Sequence, residues 1–265
     1  MNKHEKGQVA ASAAEIYEEF FVPALFVDWP QRVLGAAKVQ AGESVLDVAC
    51  GTGILAREAK KWVGAEGEVA GVDINEDMLA VARQKGFGIT WELGTAESLP
   101  FPAESFDRVV SQFGLMFFED QVKALAEMKR VLRPGGMAAV AVWALLAETP
   151  GYAVVAEILN ELFGATVAQS IEAPYSLGEK DKLSSLFGEA GIHDMTIHTM
   201  NGQACFPSIE AWIYTDIKGW TLADVIDEVA YERLQEYAPQ KLAQFVQADG
   251  SVAFAAPAHI VTFTV

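Results

Sequence analysis

Val45-Leu-Asp-Val-Ala-Cys-Gly-Thr-Gly53 is the stretch on which the reading of this chain turns. Its first half is an apolar run broken by a single carboxylate, the pattern of a short strand buried on both faces. Its second half sets two glycines around Thr52, so the backbone can turn tightly and a ligand can approach it closely. A helical pattern follows at 54–63. The free N–H groups of its first turn lie at the positive end of the helix dipole and face the same turn.

Outward from that unit, strand patterns recur at 68–73, 88–93, 106–112, 137–143, 193–206 and 258–265. Helical patterns at 76–85, 121–131, 150–168 and 180–190 separate most of them, with a short helix expected near Glu97. Strands alternating with helices mean βαβ units, and right-handed crossovers then give a doubly wound sheet. The expected fold is therefore α/β and Rossmann-like. Its sheet is seven-stranded and mostly parallel, and the last strand is antiparallel.

The 265 residues suit one domain, 1–265, with appended helical pieces. A lead-in, 1–40, carries an amphipathic helix near 13–21. Stretches 145–176 and 207–250 read as helical cap insertions. Ligands of open α/β sheets bind beyond the carboxyl ends of the parallel strands. If the last strand lies antiparallel beside the fifth, both insertions sit at that edge and roof one site.

Composition narrows the partners. The chain is 51% hydrophobic, and its net charge is −17 at pH 7. Residues 150–265 hold five Lys and Arg against 15 Asp and Glu. Such a surface disfavours nucleic acid and anionic lipid, which need concentrated basic side chains. The polar start, 1–8, lacks a signal-peptide pattern, and no apolar run reaches the ~18 residues of a membrane helix. Two Cys and four His show no metal-ligand spacing. The expectation is a cytoplasmic protein with a small-molecule partner, no metal, no nucleic acid and no membrane.

Asp73 closes the second strand about 20 residues after the glycine turn, where a carboxylate can accept ribose hydroxyls. Gly51-Thr-Gly-Ile-Leu-Ala56 also satisfies the dinucleotide pattern, so a nicotinamide-dependent oxidoreductase stays open at this point. Asp47, four residues before Gly51, suits a cationic amino-acid ligand better than a pyrophosphate, which it would repel.

With its neighbours, the motif resembles motif I of the class I S-adenosylmethionine-dependent methyltransferases. Gly71-Val-Asp-Ile-Asn-Glu-Asp-Met78 is similar to their second motif, and Gly94-Thr-Ala-Glu-Ser-Leu-Pro-Phe101 to their adenine-contact segment. Phe106-Asp-Arg-Val-Val and Leu132-Arg-Pro-Gly-Gly-Met137 resemble the fourth- and fifth-strand motifs. The likeness spans roughly 40–145 and is closest to the small-molecule branch that includes ubiquinone- and menaquinone-biosynthesis enzymes.

The resemblance implies methyl transfer from S-adenosylmethionine to a small acceptor, leaving S-adenosylhomocysteine. It implies that Asp47, Ala49, Gly51 and Gly53 hold the methionine end. Asp73 takes the ribose, Ile74 and Met78 pack on the adenine, and Thr95, Ala96 and Glu97 line its edge. Gln112 faces the methionine moiety. Many members carry Asp where Thr95 stands; a hydroxyl also accepts, without charge assistance. A module that binds the cofactor without turnover also fits these motifs.

Plainer roles compete at several positions. Asp73 can cap the next helix, Cys50 can be a small turn residue, and Ile74 and Met78 can be core. His259, at the start of the last strand, is the histidine best placed to act as a base, although a residue there often only hydrogen-bonds locally. Tyr17, Trp143, Tyr152, Tyr175 and Tyr214 are candidates to line an acceptor pocket, with core packing as the ordinary alternative.

Overall fold

In a computed structural model, which describes residues 11–219, 222 and 225–265, seven strands form one sheet. They are β1 (Ser44–Val48), β2 (Glu68–Asp73), β3 (Thr90–Leu93), β4 (Phe106–Gln112), β5 (Leu132–Trp143), β6 (Met195–Met200) and β9 (Ala258–Thr264). The spatial order is β3-β2-β1-β4-β5-β9-β6, and β9 alone runs against the rest. This is the expected doubly wound sheet. The order reverses between β1 and its neighbours β2 and β4, which opens a crevice at their carboxyl ends.

Central strands are buried on both faces because helices cover both. Val45, Leu46 and Val48 of β1, and Ala138 to Val142 of β5, are fully or almost fully buried. The helices α3 (Ile54–Val63), α4 (Glu76–Gln84) and α5 (Gln121–Val131) supply the crossovers. Asn75 and Asp120 cap α4 and α5 through their side chains, which satisfies amide groups that a helix start leaves open. Because Asn75 caps α4, Asp73 does not have to.

The 193–206 strand is two strands. The chain leaves β6 at Met200, bends at Asn201 and Gly202, and re-enters as β7 (Gln203–Phe206), which pairs with β8 (Val252–Ala255) in a separate two-stranded sheet. Gly202 sits against the Ala256 carbonyl and the Trp29 ring, where any side chain would collide. β8 falls just after a region read as helical. The short helix expected near Glu97 is instead a turn closed by a Thr95–Ser98 bridge.

Beyond the carboxyl edge lie α6 (Pro150–Phe163) and α7 (Ala165–Glu172), separated by Gly164 with φ +88°. Helix α8 (Lys180–Glu189) follows, and α9 (Ile209–Lys218) and α10 (Glu228–Leu242) belong to the 207–250 stretch. Trp143 pairs with Ala258, and Met200 does so from the other side. Both insertions therefore begin and end at the edge where β5 and β6 finish.

The lead-in differs from its expectation. Helix α1 (Ala11–Ile16) runs into a wide π-helical stretch over Tyr17–Phe26, and α2 (Trp29–Ala36) follows. Phe21, Val22, Ala24, Leu25 and Phe26 are all buried, so the wide stretch is a plug embedded on nearly every side, not a surface helix with one apolar face. The expectations for 1–8 lie outside the described residues. Among the described residues no helix is long and apolar enough to cross a membrane.

The Trp91 ring fills the space above the glycine turn. A Cβ on Gly71 would stand 2.5 Å from it and 2.9 Å from Cys50 Sγ. Gly53, at φ +87°, would also collide with the same ring if substituted. Gly71→Ala should therefore destabilise the protein by roughly 1–3 kcal/mol, the usual result of overpacking. Denaturant melts of the two proteins measure this; an unchanged midpoint would mean that Trp91 does not pack there.

Candidate functional site

The turn after β1 begins with Ala49 at φ +59°, followed by Gly51 at φ +54° and Gly53 at φ +87°. Asp47, one residue from the strand's end, is 1% exposed. Its Oδ2 accepts a 3.0 Å hydrogen bond from the Ala56 N–H in the first turn of α3. Its Oδ1 is buried with no partner among the described residues. Burial pushes this carboxyl well above the usual carboxylate range, opposed by the Ala56 N–H and Arg57.

Asp73 ends β2 beside this turn. Its Oδ2 accepts from Gly51 N–H at 2.8 Å and its Oδ1 from Asn75 N–H at 2.9 Å. Burial raises this carboxyl too, with the backbone amides pulling the other way. At the end of β4, Gln112 has a buried and unpartnered Oε1 among the described residues. Thr52 Oγ1 within the turn is in the same condition. A site whose buried acceptors lack donors is built for a ligand that brings them.

A cleft of about 520 Å³, including its open mouth, runs along the ends of β1, β2 and β3. Ala49, Asp73, Ile74, Thr95, Ala96 and Glu97 line it, so six of the eleven residues expected to hold a cofactor share one wall. Ile74 is 53% exposed there, an apolar side chain left open to the cleft. Glu97 also braces a loop, because its Oε1 accepts from the Glu119 and Asp120 amides and fixes the segment before α5. Met78 takes the plainer role, packing with Ala14, Val81 and Tyr17 away from the cleft lining. The Cys50 thiol is buried and pushed well up by that burial, which suits a turn residue and leaves no thiolate for chemistry.

The lead-in closes over the turn. Tyr17 stacks on Phe26 with its ring at the edge of Gly51. Glu18 pairs with Arg57 at 3.0 Å and with Lys85 at 3.2 Å.

A second cavity, about 440 Å³ including its mouth, lies past the ends of β4 and β5. It draws on all three added segments: Phe21 and Phe26 from the lead-in, Tyr152 and Tyr175 from the first insertion, and Asp216 from α9. Trp143, the last residue of β5, forms its floor and stacks on Phe113 with ring centroids 3.7 Å apart. The turn Leu115–Phe117 stands between the two spaces. Phe117 lines the cleft, and the turn packs against Ala173–Tyr175 on the cavity side.

Of the residues expected at an acceptor pocket, Trp143, Tyr152 and Tyr175 line this cavity. Tyr17 joins it indirectly, through Phe26 and Phe21. Tyr214 does not: it lies 37% exposed, edge-on to Phe20, and lines neither space. His259 is also away from both. It is 2% exposed, and its Nε2–H donates to the Gly178 carbonyl at 2.9 Å. That leaves Nδ1 to accept from the Thr199 hydroxyl at 3.0 Å. Both ring nitrogens tie β9 to β6 and to the segment before α8, so the strand-start role weighed above is the one the structure gives it.

The residue missed by the sequence reading is Asp216. It is 2% exposed, its Oδ1 accepts from the Tyr152 hydroxyl at 3.0 Å, and its Oδ2 has no hydrogen-bond partner among the described residues. Burial pushes its carboxyl up to about 8, while Tyr152 and the neighbouring Trp212 indole pull it down. Tyr152 is itself pushed well up by burial and by the neighbouring carboxyl. A signal was available: one acid inside Trp212-Ile-Tyr-Thr-Asp-Ile217, an otherwise largely apolar helix.

The chain matches the methyltransferase domain family over residues 45–136. A demethylmenaquinone methyltransferase of Staphylococcus epidermidis is 35% identical over 191 residues, covering 66% of this chain and 78% of that protein. Haemonchus contortus phosphoethanolamine N-methyltransferase 2, solved with phosphomonomethylethanolamine and S-adenosylhomocysteine, superposes with a TM-score of 0.61 at 21% identity, over 96% of this chain and 57% of that one. The YcgJ protein of Bacillus subtilis superposes with a TM-score of 0.58 at 21% identity, over 89% and 97%. At such identities the two structures speak for the fold.

Asp216 also sets a pH dependence. Between about 4, where the unfolded carboxyl ionises, and about 8, where the folded one does, the folded state holds the extra proton. Stability therefore falls as pH rises through that window and levels off above it. Asp216→Asn keeps an acceptor for Tyr152 and removes the titration. Guanidinium melts should show the variant gaining on the wild type between pH 5 and pH 8; a difference equal at both would mean that the folded carboxyl is already ionised at pH 5.

Proposed function

Because the chain belongs to the class I S-adenosylmethionine-dependent methyltransferases, in the branch that methylates small molecules, we propose that the cleft holds the cofactor and the aromatic cavity beside it holds the acceptor. The observation that carries this reading is the set of buried acceptors without donors, Asp47 Oδ1 and Gln112 Oε1, at the ends of the adjacent strands β1 and β4. An amino-acid ammonium supplies the donors they lack, and its charge offsets the burial that raises the Asp47 carboxyl. A dinucleotide pyrophosphate would bring negative charge to the same place.

Asp73 is held by two amides with its carboxyl at the cleft wall, in position to accept ribose hydroxyls. Ile74 offers an apolar face to the adenine, and Thr95, Ala96 and Glu97 line its edge. When bound, the cofactor supplies a methyl group on a sulfonium, an electrophile whose sulfur leaves as a neutral thioether. The protein's work is alignment and exclusion of water. Tyr17, Phe26, Phe113 and Trp143 pack side by side from the glycine turn to the cavity, and their electron-rich faces suit a nearby sulfonium.

The lead-in and the two insertions act as the roof of this site. A roof that excludes water must open to admit the acceptor. The acidic second half, with few basic side chains, supports a small uncharged or cationic acceptor over nucleic acid. The apolar lining supports an aromatic or otherwise hydrophobic molecule, in keeping with the quinone-related name of the Staphylococcus epidermidis relative.

Asp73→Ala should weaken S-adenosylhomocysteine binding by about 10- to 100-fold, as expected for loss of charge-assisted hydrogen bonds worth about 1.5–3 kcal/mol. Calorimetry on a variant shown to be folded by circular dichroism measures it. Unchanged affinity, or binding of NAD in place of S-adenosylhomocysteine, would overturn the assignment.

A further inference from the structure

We propose that Glu127 and Arg130 are positioning residues for cofactor binding: from α5 they hold the loop 94–101, which lines the base end of the cleft, and so set the preference of the site for adenine over other purines. The inference rests on the reading of the cleft as the cofactor site. It goes beyond that reading by naming two residues outside the cleft lining that decide which base the cleft takes.

The loop has little regular structure of its own. After β3 ends at Leu93, the Gly94 N–H donates to the Asp73 carbonyl at 3.0 Å, and a turn closes between Thr95 and Ser98. Gly94, Thr95, Ala96 and Glu97 line the cleft. From Leu99 to Phe101 the chain is in neither a strand nor a helix, so its backbone polar groups need partners from elsewhere.

Helix α5 supplies them. At its start, the Glu97 carboxylate accepts from the Glu119 and Asp120 amides at 2.9 and 3.3 Å. Toward its end, Glu127 Oε2 accepts from the Leu99 N–H at 2.9 Å. The Arg130 guanidinium donates to the Phe101 carbonyl at 2.9 Å and to the Leu99 carbonyl at 3.3 Å. The loop therefore lies along the helix and is tied near both of its ends. The helix is a firm reference, because Ala124, Leu125, Met128 and Val131 are fully buried against the sheet.

Glu127 and Arg130 stand three residues apart on α5, which makes them neighbours on its surface. Arg130 meets both carboxylate oxygens, Nε with Oε1 at 2.6 Å and Nη2 with Oε2 at 2.7 Å. This double contact fixes the plane of the guanidinium and aims its other N–H groups at the loop carbonyls. The hydrogen bonds from Arg130 hold the Glu127 carboxyl below its usual range, so the pair stays ionised at neutral pH. The two side chains are 35% and 19% exposed, and ion pairs in contact with water contribute little to stability. What the pair does is fix where the loop sits. Adenine offers an amino donor at C6 and an acceptor at N1, and hypoxanthine offers the reverse. A loop edge held in one place tells them apart, because the wrong base leaves polar groups of the site unpaired; an edge free to shift adapts to either.

The test uses the full chain and calorimetry with S-adenosylhomocysteine and S-inosylhomocysteine, which differ only in the base. Wild type should prefer the adenine compound by about tenfold or more, the worth of one hydrogen bond matched in place of one mismatched. Glu127→Ala and Arg130→Ala, each shown to be folded by circular dichroism, should lose most of that preference through weaker binding of S-adenosylhomocysteine. Arg130→Lys keeps the charge but not the planar fork, so it should behave as Arg130→Ala does. The two residues act as one device, so the double variant should lose no more than either single one. The proposal is overturned if wild type binds S-adenosylhomocysteine without distinguishing the bases, or if the alanine variants keep the wild-type preference or weaken both compounds equally. It is equally overturned if Arg130→Lys retains the preference or if the losses add in the double variant. Failure of wild type to bind S-adenosylhomocysteine would instead refute the cofactor assignment beneath it.

Discussion

The structure depends on one buried carboxyl that is only half satisfied. Asp47 sits in β1, the strand flanked by β2 and β4 at the point where the sheet order turns. Through Oδ2 it ties that strand to the first turn of α3. Oδ1 is left for something the chain does not contain. The turn between them needs left-handed backbone at Ala49, Gly51 and Gly53, and Trp91 covers it so closely that Gly53 and Gly71 must lack side chains. The glycines thus answer two demands, backbone conformation and room for a ring. The fold gives up a satisfied core polar group in exchange for a binding group of fixed position.

From that point the carboxyl edge divides into two environments. The cleft over β1 to β3 carries Asp73, Thr95 and Glu97 and a loop pinned by backbone hydrogen bonds. The space past β4 and β5 is a box of rings with one acid in its wall. Phe113 joins them: it follows Gln112 directly, stacks on Trp143 and meets Trp29 edge-on. The boundary between the two spaces is therefore apolar. Charges within or beside such a boundary interact more strongly than they would in water. The roof is assembled from segments far apart in sequence, and the hydrogen bond between Tyr152 and Asp216 ties two of them together, α6 to α9.

The parallel sheet was legible in the sequence because β1, β2 and β5 carry apolar runs and helical patterns separate the strands. The ends of β2 and β4, at Asp73 and Gln112, fall where the residue pattern puts them. So does the cleft wall, since Ala49, Asp73, Ile74, Thr95, Ala96 and Glu97 belong to contiguous motifs at strand ends. What was not legible depended on contacts between distant segments. Asn201–Gly202 is a local turn signal, but only the Trp29 ring lying against Gly202 makes it a bend between two sheets and not a kink within one strand. The lead-in reads as amphipathic because its acids, Glu18 and Glu19, imply a wet face, yet Glu18 is turned to Arg57 and Lys85 while the apolar residues are enclosed. His259 looks like chemistry at a strand start until its two partners are known. Asp216 was hidden for the opposite reason, because an acid in a helix reads as a solvent contact unless burial on all sides is known.

The central claim is that Asp47 Oδ1 is held open for the cationic end of a ligand. Calorimetric titration of S-adenosylhomocysteine, and of its deaminated analogue, into wild type and into Asp47→Asn, each shown to be folded, reads this directly. Asp47→Asn should bind S-adenosylhomocysteine about 10- to 100-fold more weakly than wild type, as for loss of a charge-assisted hydrogen bond, while the deaminated analogue should bind both proteins alike. Equal affinity of the two proteins for S-adenosylhomocysteine, or an equal loss for the analogue, would contradict the account.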